Sequence, residues 1–181
     1  SGALRAAAFA QAHPDRVARL ALGAMVWTGK GSPTLKERSK KLEQWRSSNK
    51  RPVDRKFFET IFSRDIDGLA DEEVAMAMAE SESRFGGFVP MGTYLDMCAN
   101  LPVCDPEKII CPVMIMRGEH DGIASSKDII SFYEKLPTRD KVLITMAGQA
   151  HSTWLGYNRH RAVHVLHNFF TMPGRSDPLN D

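Results

Sequence analysis

Apolar and charged positions fall in blocks along the chain, and the blocks alternate in kind. Leu4 to Ala12 is dominated by Ala and Leu, the strongest helix formers, and His13-Pro14-Asp15 stops that run because Pro14 disfavours helix in the residue before it. A helix is predicted there. Val17 to Met25 is an apolar run about the length of a buried strand, bounded by Pro14 and Gly29. From Lys30 to about Asn100 the pattern turns charged and helical, over Pro33 to Arg46, Arg55 to Phe62 and Asp71 to Ser83. Pro33 suits a first helical turn, and Asp71-Glu72-Glu73 sets negative charge where the helix dipole favours it. Gly86-Gly87 and Pro90-Met91-Gly92 punctuate the region before a last segment, Thr93 to Asn100.

Regular alternation then returns. Pro112 to Arg117 reads as a strand closed by Gly118-Glu119-His120-Asp121, Ser126 to Leu136 as a helix, and Lys141 to Met146 as a strand closed by Ala147-Gly148-Gln149-Ala150-His151. Tyr157 to Thr171 reads as a last helix, with Val163, Leu166, Phe169 and Phe170 on one side. Helix, strand, insertion, strand, helix, strand, helix is the order of an α/β fold with a parallel sheet and right-handed crossovers. Active groups in such sheets sit just beyond the carboxyl ends of strands, where Asp121 and His151 fall. The stretch from Pro173, with Gly174, Ser176, Pro178 and Asn180, reads as a disordered tail.

Composition removes several classes of function. With 24 basic and 22 acidic residues the formal charge is +2, too small a field to suggest nucleic acid or an anionic membrane as partner. No apolar run approaches the roughly 20 residues that span a bilayer. Cys98, Cys104 and Cys111 are odd in number and lack a CxxC pair, so neither a disulfide framework nor a zinc ribbon is suggested and a cytoplasmic setting is expected.

Three pieces of sequence, in this order, carry a resemblance to the α/β-hydrolase superfamily. Ser1-Gly2-Ala3, with the Ala-rich helix ending in His13-Pro14-Asp15-Arg16-Val17, resembles the end of the nucleophile elbow and the helix behind it. Met116 to Asp121 resembles the strand end that delivers the acid, and Ala147 to His151 the loop that delivers the histidine. The resemblance implies the last three strands of an α/β-hydrolase sheet: core at 1–29, an inserted helical cap at 30–100, core again at 101–172 and a tail at 173–181. It also implies that His151 is the base and Asp121 the acid of a nucleophile-His-acid triad. Ser1 resembles the residue after the nucleophile, with Gly2 closing the elbow; in the alternative register Ser1 is itself the nucleophile and Ala3 the small residue.

Other readings of these residues are ordinary. Glu119 on the same loop and Asp128 near the next helix start, where it can complement the dipole, are rivals to Asp121 as the acid, and His120, an alternative base, is expected to pack or bond locally. His160, His164 and His167 share a helix face, but no acidic or thiol ligand lies beside them, so neither a metal nor a cofactor is expected. Met76, Met78, Met91 and Met97 with Phe85, Phe88 and Tyr94 could line an apolar pocket or simply pack the cap. The basic stretch Lys36 to Arg51, interleaved with Glu37 and Glu43, reads as a solvated face.

The expected activity is a serine or cysteine hydrolase or acyl-transferring enzyme, taking a small-molecule ester, thioester, amide or lactone through an acyl-enzyme. The alternatives are a non-hydrolytic lyase or cofactor-free oxygenase on the same fold, and a non-catalytic binding module. Because the strand at Val17 to Met25 lacks its sheet neighbour, the expected partner is the N-terminal half of the fold as a second chain. Attack by Ser1 on the carbonyl before it, an acyl shift from nitrogen to oxygen, would be an autocatalytic route to that break.

Overall fold

The computed structural model describes residues 2–176. Helix α1 (Gly2–Ala12) turns Leu4, Ala7 and Ala10 inward, a spacing of three that keeps them on one face, and packs against strand β1 (Leu20–Gly23). Between them a short 3-10 turn, Pro14–Arg16, reverses the chain. The strand is shorter than the apolar run, because pairing needs a partner. Its hydrogen bonds run from Leu20 N–H to Pro112 at one end to Ala24 N–H on Met116 at the other, and Ala24 then leaves the sheet with φ +50°.

The insertion follows as α2 (Pro33–Ser39), α3 (Leu42–Arg46), β2 (Lys50–Pro52), α4 (Arg55–Ser63), α5 (Glu72–Ser83), β3 (Phe88–Pro90) and α6 (Gly92–Leu95), which runs on into one π turn, Asp96–Asn100. Two features differ from the sequence reading. The stretch Pro33 to Arg46 is two helices rather than one, and Ser39 Oγ bonds back to the Leu35 carbonyl at 2.8 Å where the first ends. A two-stranded antiparallel ribbon, Lys50–Pro52 against Phe88–Pro90, closes the insertion around α4 and α5. Strands of three residues, each ending in proline, carry no readable periodicity.

The core resumes with a 3-10 turn (Pro106–Lys108), β4 (Val113–Gly118), α7 (Ser126–Lys135), β5 (Lys141–Met146) and α8 (Arg159–Thr171). The sheet order is β1-β4-β5, all parallel, with Leu20 opposite Val113 and Val113 opposite Lys141. Central β4 is buried on both faces through Val113, Met114, Ile115 and Met116, as a continuous apolar run in a parallel sheet requires. Burial of each such side chain stabilises by about 1.5 to 3 kcal/mol. Helix α8 corrects the sequence reading, because Ala162 and Phe169 form its inward stripe while Val163 and Phe170 are exposed. Both pairs are seven apart, so the helix presents two adjacent apolar stripes and buries only one. Arg19 closes its carboxyl end, donating to the carbonyls of Phe169 at 3.2 Å and Met172 at 2.7 Å.

Candidate active site

Strands β4 and β5 end side by side, so the loops that follow them meet. Three consecutive residues of the first loop are tied to the second. The Glu119 carboxylate accepts from Gly148 N–H at 2.9 Å, His120 N–H donates to the Gln149 carbonyl at 2.9 Å, and the Asp121 carboxylate meets His151 Nδ1 at 2.9 and 3.0 Å. The approach depends on Gly118, where a Cβ would lie 2.5 Å from the Ala150 carbonyl oxygen and 2.6 Å from that of Gln149. Any side chain there would force the loops apart.

The acid is buried and held from both sides. Asp121 is 4% exposed, and its Oδ1 also accepts Ile123 N–H at 2.9 Å and Ala124 N–H at 2.8 Å. Arg117 shapes this loop by donating to the carbonyls of Ala124, Glu119 and Asp121 at 2.7, 3.1 and 3.0 Å. Anchored at Oδ1 by two backbone N–H groups, the carboxylate holds the His151 ring with Nδ1 toward it. Nε2 has no hydrogen-bond partner among the described residues, and His151 lines a cavity of about 440 Å³ whose other walls include Arg38, Phe57, Tyr94 and Met97 of the insertion. The arrangement suits proton transfer at Nε2 with the other nitrogen anchored.

The other candidates go elsewhere. Asp128 is buried and receives the backbone N–H groups of Trp27, Thr28 and Gly29 together with the Thr28 hydroxyl, so it fastens the loop after β1 rather than pairing with histidine. His120 points beside Glu119, at 3.5 Å. His160, His164 and His167 are exposed on α8, and His164 Nε2 lies 2.9 Å from the Asn168 amide nitrogen. No group of three His, Cys, Asp or Glu side chains that could hold a metal occurs among the described residues. Met97 and Tyr94 line the His151 cavity, Met91 is core, and Phe85 and Phe88 are exposed. Ser1 lies outside the described residues.

Asp65, two residues beyond α4, escaped the sequence reading. Its side chain is 2% exposed, it pairs with Arg64 at 2.9 Å, and its Oδ2 accepts the His151 backbone N–H at 3.0 Å. Nothing in the sequence separates it from other surface-type charges; only the fold brings an insertion residue onto the histidine loop. Burial pushes its carboxyl up, but the Arg64 hydrogen bonds, the His151 amide and the charges of both residues carry it below the usual carboxylate value. A lowered native pKa adds stability that is complete above the ordinary aspartate value of about 3.9 and disappears as pH falls through the native one. Asp65→Asn is therefore expected to lose about 1 to 3 kcal/mol at neutral pH. The difference from wild type should shrink in urea melts below about pH 4; a difference independent of pH would show that the ionised carboxylate is not what matters.

A family model of the serine aminopeptidase S33 hydrolases matches residues 1–156. The chain belongs to the S33 family of α/β-hydrolases. Solved structures agree on the fold at low identity. A monoacylglycerol lipase of Paleococcus ferrophilus superposes with TM-score 0.61 at 14% identity, covering 92% of this chain and 64% of its own. A soluble variant of the Saccharomyces cerevisiae monoglyceride lipase gives 0.62 at 14%, with 92% and 60% covered, and an E-2-(acetamidomethylene)succinate hydrolase gives 0.64 at 18%, with 93% and 63%. The S33 chain thus spans 60 to 64% of the length of these structures. A search of curated protein sequences finds no significant match. No described helix of this α/β-hydrolase is long and apolar enough to cross a membrane.

Proposed function

We propose that this α/β-hydrolase cleaves a small-molecule ester, thioester or amide through an acyl-enzyme, with His151 as general base and acid and Asp121 as its orienting carboxylate. The observation that carries the reading is the His151 side chain itself, bonded at Nδ1 to a buried carboxylate, without a partner at Nε2 among the described residues, and lining a cavity. In the forward step Nε2 takes the proton of a serine or cysteine nucleophile as it attacks the substrate carbonyl. It then returns that proton to the leaving group, while Asp121 stays ionised and stabilises the imidazolium. In the second half Nε2 takes a proton from water as the water attacks the acyl carbonyl, the bond to the nucleophile breaks, and the proton passes to the nucleophile as the acid leaves. The insertion acts as the cap over this cavity, and Asp65 carries the cap's position to the histidine loop. The lipase names of two structural neighbours accord with ester chemistry.

Strand β1 pairs only with β4 among the described residues, so its other edge suits a further strand that carries the nucleophile. In a complete sheet Ser1 would stand next to that nucleophile. Three free cysteines suit a reducing, cytoplasmic setting. Saturable turnover of a chromogenic short-chain ester by the protein as its gene encodes it, lost on His151→Ala, tests the hydrolase reading. Proton-transfer chemistry without hydrolysis predicts no turnover of any ester.

A further inference from the structure

The cavity that His151 lines also has Arg38, Arg64 and Tyr94 in its walls, and Arg38 and the neighbouring Arg51 lack acids. Arg38 stands over the ring of Tyr94 at 5.0 Å, and Arg51 stacks between the rings of Phe57 and Tyr94 at 4.3 and 4.4 Å. Neither guanidinium has a carboxylate partner among the described residues, and Arg38 makes no hydrogen bond there. Arg51 Nε is buried without an acceptor. Arg64, the third arginine nearby, differs in being neutralised by Asp65. Glu37, one residue from Arg38, is turned to Lys40 on the exposed side. Burial pushes the Arg38 guanidinium down from its usual value, and the neighbours that act on it are Tyr94, Arg64, Arg51 and Cys98, with no carboxylate among them.

Half-buried like charges without counter-ions cost free energy in the unliganded protein, and an arriving anion recovers it. The hydrogen-bond directions point the same way. Arg51 donates to the Tyr94 oxygen at 2.8 Å, which leaves the Tyr94 hydroxyl hydrogen to be donated to another acceptor. Tyr94 and Arg38 both line the cavity that His151 lines. A carboxylate placed between them would receive an O–H from one and a planar pair of N–H groups from the other. The lining around it, Phe57, Ile61 and Met97, suits a short apolar spacer between that carboxylate and the reacting carbonyl.

We infer that Arg38 and Tyr94, backed by Arg51, form a subsite for a substrate carboxylate, so that the natural substrate is an acidic ester, thioester or amide such as a dicarboxylic half-ester rather than a neutral acylglycerol. This rests on the hydrolase reading above. It assigns function to the basic stretch that sequence alone reads as a solvated face.

The test compares mono-4-nitrophenyl glutarate with its neutral methyl diester on the protein as its gene encodes it. The free acid is expected to be preferred by about 10- to 100-fold in kcat/KM, the worth of charge-assisted hydrogen bonds to one carboxylate. Arg38→Met should bring that ratio close to one and Arg38→Lys should restore part of it, with thermal melts by circular dichroism confirming that both variants fold. Equal rates for the two esters, or a ratio unmoved by Arg38→Met, would overturn the subsite while leaving the hydrolase reading standing. Binding is read separately by calorimetry with glutarate and with neutral glutaramide. Turnover of neither ester would count against the hydrolase, yet glutarate binding that exceeds glutaramide binding and is lost in Arg38→Met would still support the subsite. Equal binding of the two would remove it.

Discussion

If the proposed ester hydrolysis holds, Asp121→Asn is expected to lower kcat by about 10⁴-fold with KM little changed, and His151→Ala to lower it at least as far. The size follows from tautomer control. In the native loop the Asp121 carboxylate only accepts, so Nδ1 carries a proton and the neutral ring keeps its lone pair at Nε2, where the proposed base needs it. The amide of the Asn variant can still accept from Ile123 and Ala124 N–H through its oxygen, and then turns its NH₂ toward His151. Nδ1 becomes the acceptor and Nε2 the protonated nitrogen, so the base is occupied before the reaction starts. Shape and burial are preserved, and folding measured by circular dichroism should stay near wild type. A loss of less than tenfold in either variant would mean that the pair is structural rather than catalytic.

Gly118→Ala is the second large effect, and here stability and activity fall together. The added methyl would meet two backbone carbonyl oxygens, at 2.5 and 2.6 Å, and neither can swing aside as a side-chain end could. One of the loops must move, at a cost of about 1 to 3 kcal/mol in folding free energy, read by urea denaturation. The residues that move include Gln149 and Ala150, immediately before His151, so a shift on the order of 1 Å separates the ring from Asp121. A misplacement of that size costs about 10²-fold in rate. Normal activity with normal stability would show that the two loops have more freedom than their cross-links suggest.

How far the sequence revealed this differs from element to element. Strand β5 could be read residue for residue, since Lys141 and Met146 bound an uninterrupted β-branched and apolar run. The meeting of Asp121 with His151 was legible because each follows such a strand, and neighbouring parallel strands bring their carboxyl ends together. What could not be read depends on contacts distant in sequence. Asp65 lies 86 residues from the loop it steadies. Arg117 looked like the last residue of a strand and proves to tie three carbonyls of the acid loop. The basic stretch looked solvated because its periodicity is that of an exposed helix, yet Arg38 and Arg51 converge on Tyr94, which lies beyond α5 in the chain. The face of α8 was misread because two apolar stripes of equal spacing run along it, and only packing chooses between them.

Whether Asp121 and His151 serve a covalent acyl transfer is read from intact-mass spectrometry. The protein as its gene encodes it is mixed with a 4-nitrophenyl ester and quenched in acid within the first turnovers. A mass increase equal to one acyl group is expected, borne by the polypeptide that holds the nucleophile, and it should be absent from His151→Ala handled in the same way. An unmodified mass while 4-nitrophenol is being released, or acylation that persists unchanged in His151→Ala, would contradict it.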